Sequence, residues 1–188
     1  MGPPASGKGT QTKMLSEKTG FPHVDTGSLL RNAIKNETEL GKIAKSYIEK
    51  GQLAPADLVA SIIKERLEQP DCQDGFILDG YPRSIEQALK LDEILADINK
   101  DVEADFKAIC FDIDTNLLLE RIVNRRSCPK CGRIYNTKFL PPKKDGICDD
   151  DGEALVQRKD DTEEVAKARF ETYYAQTEPL IDFYAKRN

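Results

Sequence analysis

The chain has 188 residues, enough for one core with a small insert, and its 39% hydrophobic and 32% charged content is that of an ordinary globular protein. A net charge of −5 and a pI near 5.1 argue against a general nucleic-acid binder, so a polyanionic ligand would have to be met by cations gathered locally. No run of 18 apolar residues and no basic-then-apolar N-terminus is present; this predicts a cytoplasmic protein with no membrane partner and no disulfides among its five cysteines.

The chain opens on GPPASGKGTQ, a Gly2-x4-Gly7-Lys8-Gly9-Thr10 pattern. Small residues at Ala5, Ser6, Gly7 and Gly9 let successive backbone N–H groups turn inward on a polyphosphate. Lys8 adds a point charge, and Thr10 offers a hydroxyl to Mg²⁺ at a helix N-terminus. Only Met1 precedes Gly2, where a buried hydrophobic strand normally feeds such a loop. His23, the only histidine, reads as a packed strand-end residue beside Phe21 and Val24.

Leu40, Ile43, Ala44, Tyr47 and Ile48 recur with helical spacing and stop at Gly51. Pro55 opens a second helix with Leu58, Val59, Ile62 and Ile63 on one face. Cys72, in the Pro70-Asp71 turn, suggests no role. Phe76-Ile77-Leu78-Asp79 and Ala108-Ile109-Cys110-Phe111 suit parallel strands buried on both faces, with Cys110 a small buried hydrophobe. Asp79 would then stand at the carboxyl end of the sheet, beside the phosphate loop and able to hold Mg²⁺ through water; the alternative is a turn residue before Gly80.

Further helices are expected over Ser84 to Asp97 and Thr115 to Asn124, the latter carrying Arg121 and Arg125 as an i, i+4 pair able to grip one polyphosphate. A long helix starts at Thr162, where Asp161 and Glu164 resemble a capping pair, and Pro179 should bend or end it. Helices alternating with buried strands imply a doubly wound α/β sheet with helices on both faces. Taken singly, Arg31, Arg83, Arg121, Arg125, Arg158 and Arg169 read as solvated helix charges.

Residues 124–161 break the pattern, being rich in Pro, Gly, Lys and Asp. Within them Cys128-x2-Cys131 is followed, after sixteen residues, by Cys148-x2-Asp151. Two facing knuckles can bring three thiolates and a carboxylate to the corners of a tetrahedron, which Zn²⁺ accepts. Asp149 and Asp150 are rival oxygen donors, but only Asp151 repeats the two-residue spacing; the alternative is three unliganded cysteines in a polar loop. With no His or Glu base nearby the metal would be structural. A zinc-ribbon module binding nucleic acid or protein is disfavoured by the acidic pI and by the absence of interleaved basic and aromatic residues. Lys143-Lys144 reads as solvated surface.

GPPASGKGTQ, DTGSLLR, DGYPRS followed by Gln87, RIVNRR, CPKCG and QRKDD together resemble adenylate kinase of the bacterial type with a long zinc-bearing lid, in order from Gly2 to about Tyr184. The resemblance implies a P-loop NTPase-like fold, the Mg²⁺-dependent reaction ATP + AMP = 2 ADP without a general base, and a monomer. It also implies a core of residues 1–24, 55–123 and 162–188, an AMP-binding lobe of residues 25–54 and a lid of residues 124–161. Carried over by motif, Ala5, Ser6, Gly7, Lys8, Gly9 and Thr10 would wrap the ATP phosphates. Arg121, Arg125, Ile134 and Tyr135 would also face ATP. Thr26, Arg31, Gln52, Leu53, Ala54, Gly80, Tyr81, Pro82, Arg83 and Gln87 would frame AMP, with Gln87 on the adenine edge. Arg158 and Arg169 would close on the phosphates, and Asp160 and Asp161 resemble lid-hinge acids. Lys8, Arg83, Arg121, Arg125, Arg158 and Arg169 would be the catalytic cations, with Mg²⁺ near Thr10 and Asp79. Gln87, Thr26 and the long lid favour adenine over a pyrimidine acceptor. Two positions depart from the family: Ala5 replaces a usual Gly, and Ser28 a frequent Asp. The family also has a strand before the loop and a strand and helix after Tyr184, so the 188 residues are expected to be part of a longer product or to follow a mis-assigned start.

Overall fold

The computed structural model describes residues 1–98, 106–113 and 117–187. Helix α1 (Lys8–Thr19) leads to β1 (His23–Asp25), followed by α2 (Thr26–Lys35), α3 (Glu39–Ile48) and α4 (Ala56–Leu67). A short 3₁₀ turn over Pro70–Cys72 precedes β2 (Ile77–Asp79), and α5 (Ile85–Ile98) and α6 (Leu118–Val123) follow. Strands β3 (Arg125–Ser127) and β4 (Ile134–Asn136) open the inserted lobe; α7 (Glu163–Thr172) and α8 (Leu180–Ala185) close the described chain.

Strands β1 and β2 pair in parallel, His23 opposite Ile77 and Asp25 opposite Asp79, so both aspartates stand at the same carboxyl edge. Val24 beneath them joins Leu30, Leu58, Val59, Ile63, Leu67, Leu91 and Ile94 in the main core, which lies between the strands and helices α2, α4 and α5. Helix starts follow local chemistry. Asp25 accepts the Gly27 N–H and Thr38 the Gly41 N–H, each satisfying a donor that the first turn leaves open. Gly41 is also where α3 meets α2, since a Cβ there would fall 2.1 Å from the Ala33 carbonyl oxygen. Ala88, Leu180 and Tyr184 form a second cluster between α5 and α8.

The predicted helices around residues 40–48, 56–67 and 85–98 and the strand at residues 77–79 are present, in an α/β arrangement with a parallel pair. Four local expectations are corrected. Residues 108–111 form no strand, and Cys110 is exposed, as are Phe106 and Ile109. Their backbone partner among the described residues is Met1, whose amino group donates to the Ile109 carbonyl and whose carbonyl accepts from Phe111 at 2.9 Å. A single rung cannot sustain a ladder or bury both faces. Arg125 lies beyond the end of α6, in β3, so it does not share a helix face with Arg121; residues 115 and 116 of that predicted helix lie outside the described residues. Helix α7 is capped by the Thr162 hydroxyl, which accepts the Val165 N–H at 3.3 Å, while Asp161 is fully buried beside Arg125. Finally, α7 ends at Thr172, before Pro179, in a wide turn over Tyr173–Thr177, and Pro179 stands at the start of α8.

The inserted lobe is small and β-rich. Antiparallel β3–β4 is extended by bridges between Ser127 and Val156, Asn136 and Leu140, and Ile147 and Ala154. Its core is Cys128, Tyr135 and Cys148, with Leu155 packed against them.

Candidate active site and metal cluster

The loop before α1 turns on left-handed residues. Gly7, at φ +90°, serves as the N-cap, and Ala5 adopts φ +61°, a conformation that costs an L-residue with a Cβ about 1–2 kcal/mol. The Ala-for-Gly departure is therefore accommodated in the backbone geometry that a glycine would favour. Lys8 folds back over the loop, its Nζ donating to the carbonyls of Gly2 and Pro3, both at 2.7 Å, and lying 3.2 Å from the Ser6 hydroxyl. Burial, reinforced by the nearby Arg83 charge, pushes the Lys8 ammonium down to about 7. Asp79 is buried against the first turn of α1: a Cβ on Gly9 would sit 3.2 Å from its Oδ2. The same oxygen lies 3.2 Å from His23 Nε2, so the lone histidine, at the strand end as expected, also orients this carboxylate.

The arginines converge from separate segments, and Arg31, Arg83, Arg125 and Arg169 are already engaged. Arg83 donates from Nε to the Gly80 carbonyl at 2.7 Å, and burial lowers its pKa. Arg125 forms a two-pronged pair with Asp161, Nε to Oδ2 at 2.8 Å and Nη2 to Oδ1. Arg169 donates to Asp160 Oδ2 at 3.0 Å and reaches Asp161 Oδ1 at 3.5 Å. Burial brings Arg169 to about 10, opposed by the Asp160 charge; burial also brings Arg158 to about 10, helped by Arg31 and Arg125. Both remain cationic at neutral pH. Arg31 lies 3.4 Å from Asp25 and 3.0 Å from the Ser28 hydroxyl, and Ser28 itself donates to Asp25. Burial would raise the Asp25 carboxyl, but the Ser28 hydrogen bond and the Arg31 charge hold it below its ordinary value. Ser28 at the departing position thus tightens the cap of α2 onto Arg31.

Between α2, the residues after Gly51, and α5 lies a narrow pocket lined by Thr26, Leu30, Leu53, Ala54, Gly80 and Gln87, and also by Gln52 and Arg83. The Thr26 hydroxyl is buried there without a hydrogen-bond partner among the described residues, an arrangement that costs free energy unless a ligand supplies one. Gln87 Oε1 accepts the Arg83 N–H at 2.8 Å, and the Tyr81 hydroxyl donates to the Gln87 carbonyl at 3.0 Å. The side-chain oxygen of Gln87 is therefore committed to the Gly80–Arg83 segment, leaving its amide N–H groups for the pocket. The peptide between Tyr81 and Pro82 is cis.

One cleft takes in the loop, Asp79 and all six arginines, together with Ile134 and Tyr135 of the inserted lobe. Its volume of about 1470 Å³ exceeds the ~300–1,000 Å³ of single-ligand pockets, and includes an apolar slot between β2 and residues 106–111. Eight cationic side chains line it against four carboxylates, Asp25, Asp74, Asp79 and Asp160. Tyr135 is oriented chiefly inward to its own lobe: its hydroxyl accepts the Asp149 N–H at 2.8 Å and lies 3.5 Å from Cys148 Sγ.

In that lobe Cys128, Cys131, Cys148 and Asp151 bring one donor atom each to within 4.8 Å of one another. Tetrahedral Zn²⁺ with bonds near 2.3 Å needs donors about 3.8 Å apart, and Cys131 Sγ to Cys148 Sγ is 3.6 Å, with Cys128 Sγ 3.3 Å from Asp151 Oδ2. Both knuckles have one geometry. Gly132 donates to the Cys128 carbonyl at 3.1 Å and Gly152 to that of Cys148 at 3.0 Å, at φ +74° and +72°. A glycine after the second ligand of each pair was a sequence signal for Asp151 that the spacing of the ligands alone did not use. Three sulfurs and a carboxylate fit zinc.

Sequence reasoning did not single out Asp25, nor the hydroxyls of Thr172 and Thr177. Thr172 lies 3.1 Å from the Gly51 carbonyl oxygen and Thr177 donates to that of Arg83 at 2.7 Å. The first carried a signal, an Asp before Thr-Gly at a helix start; the other two depend on contacts across 121 and 94 residues and had none.

A family model described as adenylate kinase matches residues 1–188. The chain is 50% identical over 188 residues to an adenylate kinase of Clostridium tetani, covering all of this chain and 86% of that protein. It is 49% identical over 188 residues to one of Thermotoga neapolitana, with 100% and 84% covered, and 48% identical over 187 residues to one of Archaeoglobus fulgidus, with 100% and 85% covered. A phosphate loop, a carboxylate at the strand end, converging arginines and similarity over all 188 residues agree: this chain belongs to the adenylate kinase family of nucleoside monophosphate kinases.

Proposed function

We propose that the cleft holds MgATP and AMP end to end and interconverts them with two ADP. An AMP phosphate oxygen attacks the γ-phosphorus of ATP, and the bond from that phosphorus to the β–γ bridging oxygen breaks, leaving ADP on both sides. The nucleophile is already an anion, so no proton has to be removed and no general base is needed. What remains for the protein is alignment and neutralisation of the moving charge. The observation that carries this reading is the gathering of Lys8, Arg83, Arg121, Arg125, Arg158 and Arg169 around one cleft beside the loop.

Residues Ala5 to Thr10 would cradle the ATP phosphates with backbone N–H groups, Lys8 leaving the loop carbonyls for the transferred group. Arg121, Arg125, Ile134 and Tyr135 would face ATP. The Thr26 hydroxyl, Gln52, Leu53, Ala54 and the Gln87 amide suit the adenine of AMP. Arg31 and Arg83, framed by Gly80, Tyr81 and Pro82, suit its phosphate, and Arg158 and Arg169 would bear on both nucleotides. Thr10 and, through water, Asp79 would hold Mg²⁺, whose charge screens the phosphate oxygens. Water has to be excluded or ATP would hydrolyse, so residues 25–54 and 124–161 serve as lobes that close over the core. Cys128, Cys131, Cys148 and Asp151 would hold a structural Zn²⁺ that makes the second lobe a rigid body. Five unpaired thiols suit a reducing cytoplasm, and a monomer suffices because the site is built from one chain. Among the described residues no helix is long and apolar enough to cross a membrane.

The test is a coupled assay of MgATP against AMP, CMP, UMP and GMP. Two ADP per turnover with AMP, and little with the others, is expected. Preference for a pyrimidine acceptor, or failure to bind a mimic joining two adenosines through five phosphates, would reject the reading.

A further inference from the structure

Between α7 and α8 the backbone widens: the Glu178 N–H donates to the Tyr173 carbonyl, five residues back, at 2.9 Å. Such wide turns absorb one extra residue into a helix and concentrate at functional sites. In an ideal α-helix Thr172 and Thr177, five residues apart, would point about 140° away from each other; absorbing one residue into the turn brings them back to roughly 40°. Each then reaches a different loop on the acceptor side of the cleft, the turn at Gly51 and the segment ending at Arg83. Thr172 Oγ1 lies 3.1 Å from the Gly51 carbonyl oxygen, sharing its proton with the Ala168 carbonyl at 2.9 Å. Thr177, buried, gives its only hydroxyl proton to the Arg83 carbonyl at 2.7 Å. Helix α7 also packs tightly at Gly51, where a Cβ would lie 3.0 Å from both the Val165 carbonyl oxygen and Arg169 Cγ.

The main chain of Arg83 is thereby held at both ends, its N–H by Gln87 and its carbonyl by Thr177, while the guanidinium reaches back to Gly80. Rotating Thr177 away would leave that carbonyl unsatisfied and let the arginine tilt. From this geometry we propose that Thr177, supported by Thr172, is a positioning residue for the AMP side of the reaction, and that the wide turn exists to align the two hydroxyls. This rests on the reading of the cleft given above. It assigns the end of the helix that carries Arg169, and the wide turn that follows it, a second task, setting where the acceptor phosphate stands.

The test compares Thr177→Val, which keeps the shape and removes the donor, with Thr177→Ser, which restores it. Steady-state kinetics with AMP and ATP varied separately should show KM for AMP raised about tenfold in the valine variant, KM for ATP within twofold, and recovery in the serine variant. Thr172→Val should show a smaller shift in the same direction, because its hydroxyl already has an acceptor in its own helix. Hydrogen exchange of the Arg83 amide in the nucleotide-free protein should accelerate at least tenfold in Thr177→Val and not in Thr177→Ser. Unchanged KM for AMP, or an equal rise for both nucleotides, would overturn the assignment. If the unaltered chain did not phosphorylate AMP, the functional reading would fall, and exchange would still decide the positioning role: an Arg83 amide protected equally in Thr177→Val would reject it.

Discussion

The cleft and the four-donor cluster of the inserted lobe are both gatherings of polar groups, but their charge balance is opposite. Around the cleft the cations outnumber the carboxylates two to one, and two of them are already paired, Arg125 with Asp161 and Arg169 with Asp160. In the lobe three thiols and a carboxylate face one another with no cation among them. A group of buried charges is stable only when something of opposite sign completes it. The cleft calls for an anion that comes and goes, and its arginines have internal partners to return to. The cluster's four converging donors suit a resident cation such as zinc.

Breaking the cleft side should have the largest effect. Lys8→Met is expected to lower turnover by about 10²–10³-fold, the scale of losing one preorganised charge on the transition state. The same variant should raise the melting temperature of the nucleotide-free protein. With the folded pKa near 7 and the unfolded value near 10.4, the unfolded chain binds the extra proton between those pH values, so wild-type stability rises with pH across that window. The stability gained by Lys8→Met should therefore be greatest at and below pH 7 and shrink toward pH 10. Thermal scans from pH 6 to 9 check the sign; a gain that grew with pH would contradict a buried, destabilised ammonium.

On the lobe side, Cys128→Ser or Cys131→Ser should lower the melting temperature by roughly 10 °C, from several kcal/mol of metal-coupled folding at about 2–4 °C per kcal/mol, and leave turnover at moderate temperature less affected. Elemental analysis of the purified protein should find one zinc per chain and its loss in these variants. Equal loss of stability and turnover would mean that the metal does more than stiffen the lobe.

Asp161→Asn sharpens the contrast, since it leaves Arg125 buried beside a neutral partner. A loss of about 3 kcal/mol is expected by denaturant titration, partly recovered when a polyphosphate ligand is added. If ligand restored nothing, the idea that phosphates and Asp161 share the same arginine would be wrong. The smallest effect is expected from Ala5→Gly. Relief of the left-handed backbone, less the entropy glycine loses on folding, should stabilise by about 0.5–1 kcal/mol with little change in rate.

Much of this was legible in the residues because it is local. The phosphate loop, the starts of α3 and α4 and the two knuckles depend on neighbours within four or five positions, where hydrogen bonds and ring closures repeat whatever surrounds them. Asp79 was readable for a similar reason, as the polar end of an apolar run. The expected strand at residues 108–111 failed for the opposite reason: its apolar character was read correctly, but a strand exists only through its partner, and Met1 contributes a single rung. Arg121 and Arg125 looked like one helical face because spacing cannot show that α6 stops at Val123 and the chain turns into β3.

Residue order thus prescribed which chemical groups are present and the short motifs that hold them, since backbone geometry over a few residues leaves little choice. Packing chose the partners: which carboxylates Arg125 and Arg169 keep, that Gln87 spends its oxygen on Arg83, and that Thr172 and Thr177, on either side of a widened helical turn, reach Gly51 and Arg83. The longest of those pairings, Arg125 to Asp161, Thr177 to Arg83 and Thr172 to Gly51, span 36, 94 and 121 residues, and their free energy appears only once the surrounding side chains have excluded water.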